Sequence, residues 1–177
     1  MKTNDNATAF LNYLLQYIDS KESSAQQLIE KAASQFKRLD LKKNEFLVKE
    51  GEVCSSFCYV ETGILQHSIQ VDDEEKTTYL ALRNSVTSSL NSFLKEVTSR
   101  KGVKALVETQ LWVVDLKTFK ELLQNNAAFH QFYYNLIEKQ IMLIDDYRID
   151  LLTLTPEERY QKLLITEPKL LHIGFVQ

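Results

Sequence analysis

Cys54 and Cys58 are the only cysteines in the chain, spaced C-x3-C, and a thiol pair is the first place to look for metal or redox chemistry. A tetrahedral metal centre needs four ligands, and neither a histidine nor a further cysteine lies close by in sequence, so the pair leaves such a site incomplete and no metal is expected. The two residues are expected instead as small, half-buried side chains at a loop-to-strand junction, which requires no oxidising compartment. His67, His130 and His172 are scattered, with no paired carboxylate or serine motif around them. The sequence holds no G-x-S-x-G, phosphate-loop or zinc-protease signature, so no catalytic residue is assigned and the chain is read as non-enzymatic. Trp112, between Leu111 and Val113, is read as strand packing. Phe129, Phe132, Tyr133 and Tyr134 cluster near one helix start, where core packing, a subunit contact and a pocket wall all stay open.

Whatever function these residues serve must be positioned by a fold that 177 residues can build, which is one well-filled core or one domain with an appendage. Hydrophobic residues make up 44% and charged residues 25%, values that suit a globular protein. The formal net charge of -3 provides no global positive field to draw in nucleic acid or an anionic membrane surface. No run of about 20 apolar residues is present, and MKTNDNATAF is not a secretory signal, so no membrane association and a cytoplasmic location are expected.

Phe10, Leu11, Leu14, Leu15 and Ile18 recur at steps of three and four, predicting an amphipathic helix over residues 7–18; Leu28, Ile29, Ala32 and Phe36 predict a second, running into a turn at 39–41. From Glu45 to Phe119 the pattern becomes short apolar or alternating runs, as in EFLVKEG, FCYVETGILQHSIQV, TTYLALR, VKALVET and LWVVDL. Gly51, Gly63, Asn44 and Asn84 fall where the strands must turn, and Glu74, Glu75 and Lys76 read as a solvated hairpin turn. Helical periodicity returns in TFKELLQ and again from Ala127 to about Leu152. Phe132, Leu136, Leu143 and Tyr147 form one stripe on that long helix; Ile137, Ile141, Ile144 and Leu151 form a second. Two adjacent stripes suit one contact with the helix's own domain and another with a symmetry mate, while burial of the whole helix in its own core is the alternative. Thr155, Pro156, Glu157 and Glu158 begin a further helix expected to reach Ile165, before Pro168 interrupts it.

Several stretches, taken in order, resemble the Crp/Fnr superfamily of cyclic-nucleotide-binding-like regulators. LKKNEFLVKEGE at 41–52, FCYVETGILQHSIQ at 57–70 and VKALVETQLWVVDLKTFKELLQ at 103–124 resemble its strands, and EERYQKLLITEPKLL at 157–171 looks like the link to its DNA-binding domain, most of all in regulators of the Bacteroidetes type. The resemblance implies an α+β fold: a double-stranded β-helix or jelly-roll, the cyclic-nucleotide-binding-like β-roll, with N-terminal helices and a long C-terminal dimerisation helix. It divides the chain into helices and roll at 1–125, dimerisation helix at 126–154 and a remnant of the DNA-binding domain at 155–177.

In that family a phosphate-binding cassette holds the ligand. An "FGE(L)" turn is followed some ten residues later by Arg-Ser/Thr-Ala; the glycine admits backbone N–H groups to the phosphate, the glutamate accepts from the ribose, and the arginine makes a forked charged contact. Aligned with it are TSSLNSFL at 87–94 and TSRKGV at 98–103, which makes Ser88, Ser89, Leu90, Ser99 and Arg100 the residues of a vestigial pocket. Ser88 replaces the glycine, Ser89 the glutamate and Ser99 the arginine. Each lost charge-assisted hydrogen bond costs about 1.5–3 kcal/mol, so cAMP and cGMP are not expected to bind tightly and no cofactor is assigned. Arg100 and Lys101 are read as a solvated turn, because a neighbouring strand residue points to the opposite face.

Family regulators also continue into a helix-turn-helix. Here the sequence ends HIGFVQ, and Arg159, Lys162 and Lys169 are balanced by Glu157, Glu158 and Glu167, so direct DNA binding by this chain alone is not expected. The leading expectation is a dimeric, non-catalytic sensor module of a transcription regulator, dimerised through Phe132, Leu136, Leu143 and Tyr147, with heterodimerisation with a full-length relative and an unknown small molecule as further partners. A standalone small-molecule-binding domain and a truncated remnant of a regulator are the alternatives.

Overall fold

The computed structural model describes residues 3–19 and 23–166. Two helices come first, α1 (Thr3–Leu15) and α2 (Ser23–Ala33). Eight strands follow: β1 (Lys37–Leu41), β2 (Phe46–Val48), β3 (Ser56–Thr62), β4 (Ile64–Val71), β5 (Glu74–Leu82), β6 (Ser85–Thr87), β7 (Gly102–Ala105) and β8 (Thr109–Asp115). Helix α3 (Leu90–Lys95) interrupts the strands between β6 and β7, and α4 (Leu116–Asn125), α5 (Ala127–Thr153) and α6 (Pro156–Thr166) complete the described chain. The break expected at Pro168 and the terminal stretch 172–177 lie outside the described residues.

The strands form two antiparallel four-stranded sheets, ordered β1-β8-β3-β6 and β2-β7-β4-β5. With the flanking helices this is the mixed helix and jelly-roll architecture expected from the sequence. Turn chemistry fixes the register. Asn44 (φ 68°), Gly51 (φ 85°), Gly63 (φ 88°) and Asn84 (φ 64°) all take the left-handed backbone that the strand ends require. At Gly63 a Cβ would lie 2.3 Å from Thr109 Oγ1 and 2.7 Å from the Glu108 carbonyl oxygen, so only glycine permits the β3–β4 hairpin.

Three local readings are corrected. Residues 39–41 are not a turn but the end of β1, whose residues pair with the distant β8, Lys37 opposite Val113 and Leu41 opposite Thr109. Glu74, Glu75 and Lys76 belong to β5; the turn before them is made by Asp72 and Asp73 (φ 52° and 65°), the paired left-handed angles of a two-residue hairpin loop. Cys54 and Cys58 are buried outright, at 2% and 0% exposure, because Cys58 lies in the central strand β3, which is covered on both faces.

One side of β3 looks into the roll and the other carries Phe57 and Tyr59 beneath the helices. Phe10 of α1 packs on Tyr59 and Trp112, with ring centroids 4.9 and 5.9 Å away. Phe119 of α4 meets Phe57, Phe93, Phe129 and Tyr133 at 5.1–5.7 Å. Such ring pairs add about 0.5–1.5 kcal/mol each beyond the area they bury. Asp115 caps α4 by accepting from Thr118 N at 2.9 Å. Asn126 caps α5 by accepting from Phe129 N at 2.9 Å, and its amide donates to the Leu28 carbonyl at 2.7 Å, tying α2 to the start of the long helix.

The chain divides into two compact units, Met1–Tyr133 and Tyr134–Gln177, the boundary falling inside α5. In the second unit, α6 starts with a capping box: Glu158 N donates to Thr155 Oγ1 (3.2 Å), and the Glu158 carboxylate, held below its usual pKa by the hydrogen bonds from Thr155, accepts from Thr155 N (2.8 Å). Lys162 pairs with Asp150, and Arg159 donates to the Leu154 carbonyl. The apolar stripes of α5 change character along the helix. Phe132 and Leu136 are buried (0% and 1%), whereas Leu143, Tyr147, Ile141, Ile144 and Leu151 are 46–61% exposed.

Candidate functional site

The stretch from β6 through α3 to β7 is short on glycine and rich in hydroxyls. Thr87 ends β6, Ser88 and Ser89 lead into α3, Glu96 closes that helix in a left-handed turn (φ 55°), and residues 97–101 return the chain to β7. Ser89 occupies the N-cap position of α3 yet makes no capping bond with its side chain. Its hydroxyl faces Ser99 Oγ at 2.7 Å. Ser99 spends its single proton on the Lys101 carbonyl (2.7 Å), so Ser89 is the donor of the pair. Ser88 donates to the Ser56 carbonyl (2.9 Å), and Ser92 accepts from Cys54 N (2.8 Å) while donating to the Val97 carbonyl. Ser88, Ser89, Ser92 and Ser99 are all buried, and each hydroxyl has its partners inside the protein.

The structure thus buries all three predicted serines, but it pairs only Ser89 with Ser99; Ser88 bonds instead to the Ser56 carbonyl and Cys54. Leu90 is half-buried in the first turn of α3, and Arg100 is exposed. Lys101 departs from the solvated-turn reading: it is half-buried, and burial lowers its pKa below the usual lysine value. Arg100 and Lys101 both lie in the bend before β7, where strand alternation does not apply.

His67 was also passed over. It sits in β4 opposite Val103 of β7, only 1% exposed. Nε2 lies 2.7 Å from Thr87 Oγ1, the ring of Tyr79 meets it edge-on at 5.4 Å, and Nδ1 is buried with no hydrogen-bond partner among the described residues. Burial, with the charge of Lys101 adding to it, lowers its pKa to about 3, so the imidazole is neutral at pH 7. Nearby, burial pushes the Cys58 thiol well above its ordinary pKa, with Cys54 adding to the shift. Both cysteines are free, and as a buried protonated thiol Cys58 is poorly suited to nucleophilic chemistry. Among the described residues there is no cluster of three or more histidine, cysteine or acidic side chains able to hold a metal, and no helix long and apolar enough to cross a membrane.

Residues 38–126 match the family described as "Cyclic nucleotide-binding domain". Among solved structures, the catabolite activator protein of Thermus thermophilus superposes with a TM-score of 0.62 at 16% identity, over 80% of this chain and 63% of that one. The chain therefore spans a little under two thirds of that protein. The sensor domain of the transcriptional regulator DNR from Pseudomonas aeruginosa gives 0.60 at 15% identity, over 85% and 96%. A cyclic nucleotide-binding domain from Methylobacillus flagellatus gives 0.67 at 12% identity, over 86% and 84%. No curated protein matches the chain. At such identities the likeness carries the fold alone, so what the pocket can hold has to be argued from its own residues.

Proposed function

The chain belongs to the cyclic nucleotide-binding domain family, and we propose that it is a non-catalytic sensor module, related to the Crp/Fnr regulators, whose pocket has closed to cyclic nucleotides and whose long helix pairs two copies. The observation that carries this reading is the Ser89–Ser99 hydrogen bond at 2.7 Å. Where the family cassette aligns an acceptor for ribose and a cation for phosphate, this chain has two short hydroxyls, Ser89 donating to Ser99 and Ser99 to the Lys101 carbonyl. A nucleotide would have to break that pair and offer its phosphate no arginine in return. Losing two charge-assisted contacts at about 1.5–3 kcal/mol each lowers affinity by roughly a hundredfold to ten-thousandfold.

Pairing through α5 is supported by the exposure of Ile141, Leu143, Ile144, Tyr147 and Leu151. A helix segment apolar on adjoining stripes is rarely left to water, and a symmetry-related copy offers the same stripe in return. Isothermal titration of the full chain with cAMP and cGMP tests the pocket. No saturable heat is expected up to millimolar nucleotide, and a dissociation constant at or below about 10 μM, near −7 kcal/mol, would refute the reading.

A further inference from the structure

A cavity of about 300 Å³ opens between the end of α2 and the end of α4, and it shares no residue with the serine cassette. That volume is at the lower end of what small-molecule sites occupy, roughly 300–1,000 Å³. Residue spacing builds both walls. Leu28, Lys31 and Gln35 stand three and four apart and line the α2 side, while Glu121 and Asn125, four apart, line the α4 side beside Leu122. The walls are tied together at one end. Asn126, 6% exposed, donates from its side-chain amide to the Leu28 carbonyl at 2.7 Å while its other side-chain atom caps α5, so α2 and the end of α4 are held at a set separation. Lys31 on one wall and Glu121 on the other are exposed, and among the described residues neither side chain is in an ion pair or hydrogen bond, nor are the amides of Gln35 and Asn125. Opposite charges within reach do close elsewhere, Lys104 on Glu75 at 3.0 Å and Lys162 on Asp150. A solvated charge needs no partner, so the two unpaired charges alone make no site; the concavity between them does, because it offers both signs and an apolar lining to one occupant.

We propose that this cavity binds a free amino acid with an apolar side chain. Its carboxylate would meet the Lys31 ammonium, its ammonium would meet the Glu121 carboxylate, and its side chain would lie on Leu28 and Leu122. Gln35 and Asn125 each carry an amide that can donate to the carboxylate or accept from the ammonium. The choice of a zwitterion follows from the walls: a simple anion is opposed by Glu121 and a simple cation by Lys31, whereas a molecule with both charges is opposed by neither. This goes beyond the sensor reading, which concerns the cassette and the far half of α5.

Isothermal titration of the full chain with L-leucine, L-valine, L-methionine and L-phenylalanine tests the site. At least one of the four is expected to give saturable heat below about 10 mM. Removing either charge from the responding amino acid, as isocaproate and isoamylamine do for leucine, should weaken it at least about tenfold. Lys31→Met and Glu121→Gln change exposed side chains that the fold does not use, and each should weaken the same amino acid at least about tenfold. Lys120→Gln, one residue from Glu121 but outside the cavity, should leave the affinity unchanged. Silence from all four amino acids overturns the proposal, as does a singly charged analogue that binds as tightly as its parent. Affinity undiminished in either Lys31→Met or Glu121→Gln overturns it too. The cyclic-nucleotide titration stands apart, since no residue of this cavity belongs to the cassette.

Discussion

The hydroxyl lattice behind α3 and the far half of α5 solve opposite problems. In the lattice, Ser88, Ser89, Ser92 and Ser99 are buried polar groups that need partners, and each finds them within a few residues or across one sheet. In α5 beyond residue 140, apolar side chains that need cover are left largely exposed among the described residues; Leu152 is 88% exposed and Ile141 61%. The contrast teaches where to seek this protein's dealings with the outside. A self-satisfied polar cluster gains little from a new ligand, because every contact made costs one already present. An uncovered apolar stripe gains from any matching surface, at roughly 25 cal/mol per Å² of area removed from water.

The largest effect expected on either side of this contrast comes from charging the helix. Leu143→Asp combined with Ile144→Asp should weaken self-association at least about a thousand-fold, since each unpaired carboxylate buried at a contact costs several kcal/mol. Light scattering across a dilution series would register this, while the urea midpoint of the roll should barely move. Phe119→Ala makes the converse cut. Removing a fully buried ring from among Phe57, Phe93, Phe129 and Tyr133 should cost about 3–5 kcal/mol in urea unfolding, with the association of the remaining folded protein intact.

Acid should strike the interior of the roll as well. His67 has a folded pKa of about 3 against an ordinary value of 6.5, so below pH 6.5 the unfolded chain binds a proton that the folded chain refuses. The stability linked to His67 is therefore whole above pH 6.5 and is lost progressively as pH falls towards 3. Urea midpoints over that window should fall less steeply for His67→Gln than for the parent; parallel slopes would contradict the buried neutral imidazole. The smallest effect is expected from Ser99→Ala, which strands the Ser89 hydroxyl and the Lys101 carbonyl, at about 1–2 kcal/mol and with no gain in cAMP affinity. A gain in affinity there would mean that the lattice was hiding a working pocket.

Local chemistry is what made most of the roll legible. Asn44, Gly51, Gly63 and Asn84 mark strand ends because few other residues accept their backbone angles, and the Asn126 and Thr155 caps lie where the helical periodicity of α5 and α6 begins. Strand β1 was illegible because its partner β8 lies about seventy positions away and its own alternation, KRLDL, is only five residues long. The resemblance that sets Ser89 and Ser99 against charged cassette residues gave no sign that the two hydroxyls would bond to each other. The partial burial of Lys101 was not legible, because it lies in the bend before β7, where strand alternation gives no face. The lone Nδ1 of His67 was not legible at all, since it depends on what β5, β6 and β7 leave unfilled around one ring. The stripes of α5 could be counted from the sequence, yet not which of their members are buried, since the apolar periodicity is the same around Leu136 as around Leu143.

Sedimentation velocity of the full chain with cAMP, followed at the absorbance of the nucleotide, bears most directly on the proposal that the chain pairs through α5 and does not bind a cyclic nucleotide. The account predicts a concentration-dependent dimer boundary and no nucleotide travelling with it. A boundary that stays monomeric at every concentration, or one that carries stoichiometric cAMP, would contradict it.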